Sequence, residues 1–189
     1  LRERSLRDDL SGIGMVIVPG VEENPSNIKP AAAPTTYGTI QQLADYIRVG
    51  FWDERYSIST GAKWDMSARS GVITYNTTGT NNSYDSDGIS TARAALAVEG
   101  FKYYSNIFGF TFTEDTSGSA DITFSDDESG AFSSHSVSGS GFFSPGQINV
   151  NSVWTGESED NGYAYTTFIN EIGHSLGLGH LGGYNALPG

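Results

Sequence analysis

Cysteine is absent from the chain, which excludes a disulfide framework and any thiolate metal site and leaves the redox compartment open. Basic residues stop at Lys102, and the remainder carries ten acids with neither lysine nor arginine. With a formal net charge of −12, such a surface argues against nucleic acid and anionic membrane as partners and reads as a solvated acidic face. No apolar run approaches the ~20 residues that cross a bilayer, and the charged opening from Leu1 to Leu10 shows no secretory signal. Histidine is scarce as well, limited to His135, His174 and His180.

What is present suits one domain. A chain of 189 residues, 37% hydrophobic and 12% aromatic, can bury a real core and is too apolar to be disordered. Two of the three histidines share one stretch, Asn170-Glu171-Ile172-Gly173-His174-Ser175-Leu176-Gly177-Leu178-Gly179-His180. On a helix, positions 170 and 174 lie one turn apart on a shared face, where two side chains can hold one ion. Glu171 stands about 100° round from the first of them, where its carboxylate can act as general base on a metal-bound water. Gly177 lets the chain leave the helix sharply, so His180 can return to the same ion. The bland alternative is a core helix with Phe168, Ile172 and Leu176 turned inward and two incidental histidines. His135, in a Ser/Gly-rich stretch, reads as a solvated or weakly packed side chain.

Residues 1–36 read as a separate pro-segment or linker: a charged opening, an apolar patch from Ile13 to Val18, then Pro25, Pro30 and Pro34. Asp8, Asp9, Glu22 or Glu23 could offer a carboxylate to a metal from there. Ile40, Leu43, Ile47 and Phe51 recur at helical spacing, and Gly71 to Asn76 reads as a strand. Thr77 to Gly88 is a polar loop; Ser83 and Ala94 stand at the first and last positions that a calcium loop would need and do not suit one, so it reads as a turn. Ser90 is a plausible cap for a second helix with the apolar stripe Ala92, Leu96, Tyr103 and Ile107. Strands are expected at Phe110 to Thr113, Ala120 to Phe124 and Gln147 to Trp154, with an irregular edge strand within 129–141 and a final helix from Asn161 to Leu178. That order points to a mixed α+β domain.

The histidine stretch differs from the zinc signature of the metzincin endopeptidases, H-E-x-x-H-x-x-G-x-x-H, only at Asn170. From about Tyr37 onward the chain resembles the N-terminal, catalytic part of the serralysin family of secreted bacterial zinc endopeptidases. Glu171-Ile172-Gly173-His174, Leu176-Gly177-Leu178 and His180 carry the resemblance, with Gly183-Tyr184-Asn185-Ala186, Phe110 to Glu114 and Ala120 to Phe124 in support. It implies a metzincin-like catalytic domain over 37–189, with a twisted, mostly parallel sheet, an antiparallel edge strand and a long active-site helix.

The resemblance further implies zinc ligated by His174 and His180, Glu171 as general base, and hydrolysis of internal peptide bonds in protein or peptide substrates. Substrate would lie along the edge strand by β-augmentation, with Ala131, Phe132 and Phe143 as candidates for that rim. It also implies export to the extracellular medium without a cleaved N-terminal signal. Three departures stand out. Asn170 occupies a ligand position, and an amide oxygen binds zinc far more weakly than an imidazole, so activity is expected to be lost or severely impaired. The sequence ends at Gly189, before the family's methionine turn. Its calcium-binding β-roll is also missing, so calcium is expected only in that absent part. The substitution fits either a block against self-digestion or a natural loss of catalysis in a protein that binds peptides without cleaving them.

Overall fold

The structure is a computed structural model that describes residues 38–154 and 162–181, together with the backbone of 14–19. Asp8, Asp9, Glu22, Glu23 and the 183–186 sequel lie outside the described residues. The first strand, β1 (Gly14–Pro19), falls in the segment expected to be a linker or pro-segment. Then follow α1 (Ile40–Asp45), a π-helical turn (Tyr46–Gly50) and α2 (Phe51–Tyr56) as one helical run. Thr39 opens it with a reciprocal cap: its hydroxyl accepts from Gln42 N, and Gln42 Oε1 accepts from Thr39 N. β2 (Val72–Asn76), α3 (Thr91–Phe108), β3 (Thr111–Glu114), β4 (Ile122–Ser125), β5 (Ala131–Val137), β6 (Gly146–Val150) and α4 (Tyr163–Ser175) complete the chain.

The strands form one sheet in the order β1-β5-β6-β4-β2-β3. Pairings of β3 with β2, β2 with β4 and β4 with β6 are parallel, whereas β5 runs antiparallel to β6. This is the mixed α+β fold the sequence led us to expect, with one difference. The antiparallel strand β5 is not the margin of the sheet, because β1 pairs antiparallel along its outer side.

Helices α3 and α4 pack on each other, and both reach Phe124 of β4: Phe101 from α3 and Phe168 from α4 lie 5.8 and 5.9 Å from its ring. Ile73, Ile122, Phe124, Ile148, Phe168 and Ile172 are fully buried at the centre. Ser90 caps α3 as expected, accepting from Arg93 N at 3.3 Å. The expected stripe on α3 is wrong apart from Leu96: Ala92, Tyr103 and Ile107 are exposed, and the buried face is Arg93, Leu96, Ala97, Gly100, Phe101 and Tyr104.

Two members of that face do not read as apolar. Arg93 is buried because its guanidinium donates to the carbonyls of Val150, Asn151 and Trp154 and stands 3.5 Å from Asp126 Oδ2. Gly100 lies inside because α4 comes so close that a Cβ there would be 2.8 Å from Ile172 Cδ1.

Candidate functional site

Helix α4 carries the histidine stretch along the wall of a cleft of about 380 Å³, lined among others by Ala131, Trp154, Asn170, Glu171, His174 and His180. The helix ends at Ser175, and Gly177 takes φ +99, where an added Cβ would lie 2.1 Å from Ala62 O. Only glycine meets both demands. The turn brings His180 back over the helix, its ring centroid 4.3 Å from that of His174. Buried donors fix this exit. The indole of Trp52 donates to Gly177 O at 2.7 Å and that of Trp64 to Ser175 O at 2.8 Å. Gly179 N, next to His180, donates to Ile47 O in the π turn at 2.8 Å.

His174 lies 2.6 Å through Nδ1 from Leu178 O. A carbonyl only accepts, so the proton sits on Nδ1 and the lone pair of Nε2 is turned to the cleft. Burial, with His180 beside it, holds its pKa down to about 4, so the ring is neutral at ordinary pH. Glu171 is fully buried; burial pushes its carboxyl up to about 8, against the lowering effect of the Asn170 hydrogen bond. Its Oε1 accepts from Asn170 Nδ2 at 2.9 Å, and among the described residues Oε2 has no hydrogen-bond partner.

Asn170 Nδ2 also lies 3.2 Å from His174 Nε2. The amide therefore bridges the carboxyl and the imidazole lone pair with its two protons. Rotated by half a turn, its oxygen would face the lone pair of His174 Nε2, so that contact selects this orientation. Asn170 thus closes the site as a donor. It can ligate an ion only by turning over and giving up both hydrogen bonds.

Ala131 is at the cleft, and Phe132, next to it on β5, is half-buried. Phe143 is not at a rim: it sits in the core, 5.8 Å from Trp52, 5.5 Å from Trp64 and 5.0 Å from His135. The reading of His135 as solvated also fails. His135 is 3% exposed, and its Nε2 lies 2.9 Å from Ser175 Oγ, which is 2.7 Å from Ser133 Oγ. Its Nδ1 lies 3.1 Å from Ser144 O. The carbonyl places the proton on Nδ1, so Ser133 donates to Ser175 and Ser175 to His135. This chain ties β5 to the residue after His174. Small polar neighbours made His135 look solvated, and they are its partners. Trp52 and Trp64 carry no sequence signal for their roles, which depend on contacts across more than a hundred residues.

Among known proteins, the chain is similar to Metallopeptidase AprA of Pseudomonas marginalis, at 37% identity over 106 aligned positions. That alignment takes in 52% of this chain but only 22% of the relative's length. Among solved structures it is similar to myroilysin, with a TM-score of 0.38 and 20% identity over 57% of this chain and 48% of that one. No family model matches the sequence.

Proposed function

We propose that the chain is the catalytic portion of a secreted, serralysin-like zinc metalloendopeptidase that Asn170 has deprived of most or all of its activity. The observation that carries this reading is the convergence of Glu171, His174 and His180 on one cleft, with the lone pair of His174 Nε2 directed into it. The printed name of the Pseudomonas marginalis relative, a metallopeptidase, supports it.

The donor set fits zinc in two of three positions. His174 and His180 offer imidazoles, and Asn170 offers at best an amide oxygen. Bound there, zinc would polarise a peptide carbonyl and acidify water. Glu171 would take the proton of the attacking water at Oε2, the oxygen turned away from Asn170, and pass it to the departing amine. Burial favours that role, because a carboxylate with a raised pKa takes a proton from water more readily than an exposed one. Residues 37–189 form the catalytic unit in this reading, 1–36 act as a pro-segment, and protein or peptide chains are the substrates.

A second reading is favoured by one detail. The Asn170 amide hydrogen-bonds to both Glu171 Oε1 and His174 Nε2, as expected of a homologue that holds peptides but does not cut them. Asn170→His in the full chain separates the two. Restored, chelator-sensitive digestion of casein, together with zinc affinity raised by at least about 100-fold, supports the peptidase. Full zinc loading with no digestion would leave the peptide-binding reading.

A further inference from the structure

The outer edge of β5 is already occupied. Gly14–Pro19 runs antiparallel to it, with Gly14 opposite Val137 and Pro19 opposite Phe132, one residue short of the cleft-lining Ala131. The other edge of β5 is taken by β6, so an added strand along Phe132 to Val137 would need the edge that β1 uses now. The opposite register of β5 faces α4: Ser133 and His135 hold Ser175, beside His174. An extended peptide reaching the cleft along this strand would have to take the place of β1. A segment held in the same chain competes at an effective concentration on the order of millimolar, above that of a free peptide in most settings. The resident strand therefore wins until it is released.

We propose that Gly14–Pro19 is an intramolecular plug: it fills the peptide-accepting edge of β5, and its release governs access of extended polypeptides to the Glu171–His174–His180 cleft. What is governed rests on the peptidase reading, whereas the occupancy does not. Pro19, which has no N–H to donate, ends the paired run.

The test uses the full chain carrying Val16→Pro together with Ile17→Pro. Consecutive residues of an antiparallel strand alternate between bonded and non-bonded positions, so one of the two prolines must remove a ladder N–H. Hydrogen exchange at the β5 amides should quicken by about tenfold or more while the β6 amides stay protected. A labelled synthetic peptide spanning residues 11–22 should bind the variant but not the parent. Unchanged β5 exchange, or peptide binding equally to both chains or to neither, overturns the proposal.

If the prolines also unprotect β6, a site for a sequence-specific protease placed at residues 24–28 and cut after folding frees the strand without altering it, and the same readings apply. In the Asn170→His background, release should raise casein cleavage by about tenfold or more, and excess peptide should reverse it. Equal rates before and after release overturn the regulation. Absence of cleavage in both states, with the exchange and binding results intact, removes the peptidase reading and leaves the plug standing.

Discussion

Replacing His135 with glutamine should make the fold less sensitive to acid. In the folded chain the ring is buried, donates from Nδ1 to Ser144 O and accepts at Nε2 from Ser175. Protonation would put a second donor where an acceptor is needed and place a charge where water cannot reach. Burial accordingly holds its pKa at about 4, against an ordinary value of 6.5. Between those two values the unfolded chain binds a proton that the folded one refuses, so stability falls as pH falls. The slope approaches ~1.4 kcal/mol per unit, for a total of about 3 kcal/mol by the time the folded ring titrates. Roughly 2.5 kcal/mol of it should be lost between about pH 7 and about pH 4.5.

Urea unfolding at those two pH values, in parent and variant, reads the difference directly. Glutamine lowers stability at neutral pH by about 1–3 kcal/mol through the disturbed hydrogen bonds, but the parent should lose about 2.5 kcal/mol more than the variant on acidification. His174, also held down to about 4, is common to both chains and cancels. Parallel pH profiles would refute the assignment of His135 as a buried neutral acceptor.

Other consequences can be checked in the same way. Arg93→Met should cost about 3–5 kcal/mol in thermal or urea unfolding, because Asp126 and three backbone carbonyls lose their cation. Gly100→Ala gains up to ~1 kcal/mol in helix propensity but forces a contact with Ile172 Cδ1 costing about 1–3 kcal/mol. Ile172→Val, which removes that methyl, should offset the clash, and a double-mutant cycle additive within about 0.5 kcal/mol would contradict the packing described. Gly177→Ala should lower stability by about 3 kcal/mol or more and weaken zinc binding in the Asn170→His chain, since the new Cβ cannot share space with Ala62 O. Unaltered melting would show that the turn relaxes freely.

The parts of the molecule legible in the sequence are those set by local spacing. Positions 170, 174, 177 and 180 speak to one another within three helical turns, so the gathering around the cleft could be anticipated. The cap at Ser90 is equally local. The misread parts depend on distant partners. The inner face of α3 hid behind an arginine and a glycine whose reasons lie on β6 and α4. His135 looked solvated because no sequence rule brings Ser175 to it across forty residues. Phe143 looked like a rim residue beside a polar loop, yet Trp52 and Trp64 enclose it. The strand at 14–19 has an apolar pattern that reads equally well as a patch in a linker, because its mate lies more than a hundred residues away.

The two indoles that clasp the α4 exit, with the third tryptophan at the cleft wall, also give the protein its own optical readout. Trp52 and Trp64 are buried and hydrogen-bonded, so their emission should be blue-shifted. Trp154, half-buried against Tyr163 at 5.4 Å, should answer to quenchers. Selective quenching of the red component would then report what enters the cleft, while the blue component reports whether the histidine turn is still closed. Neither reading calls for an attached dye.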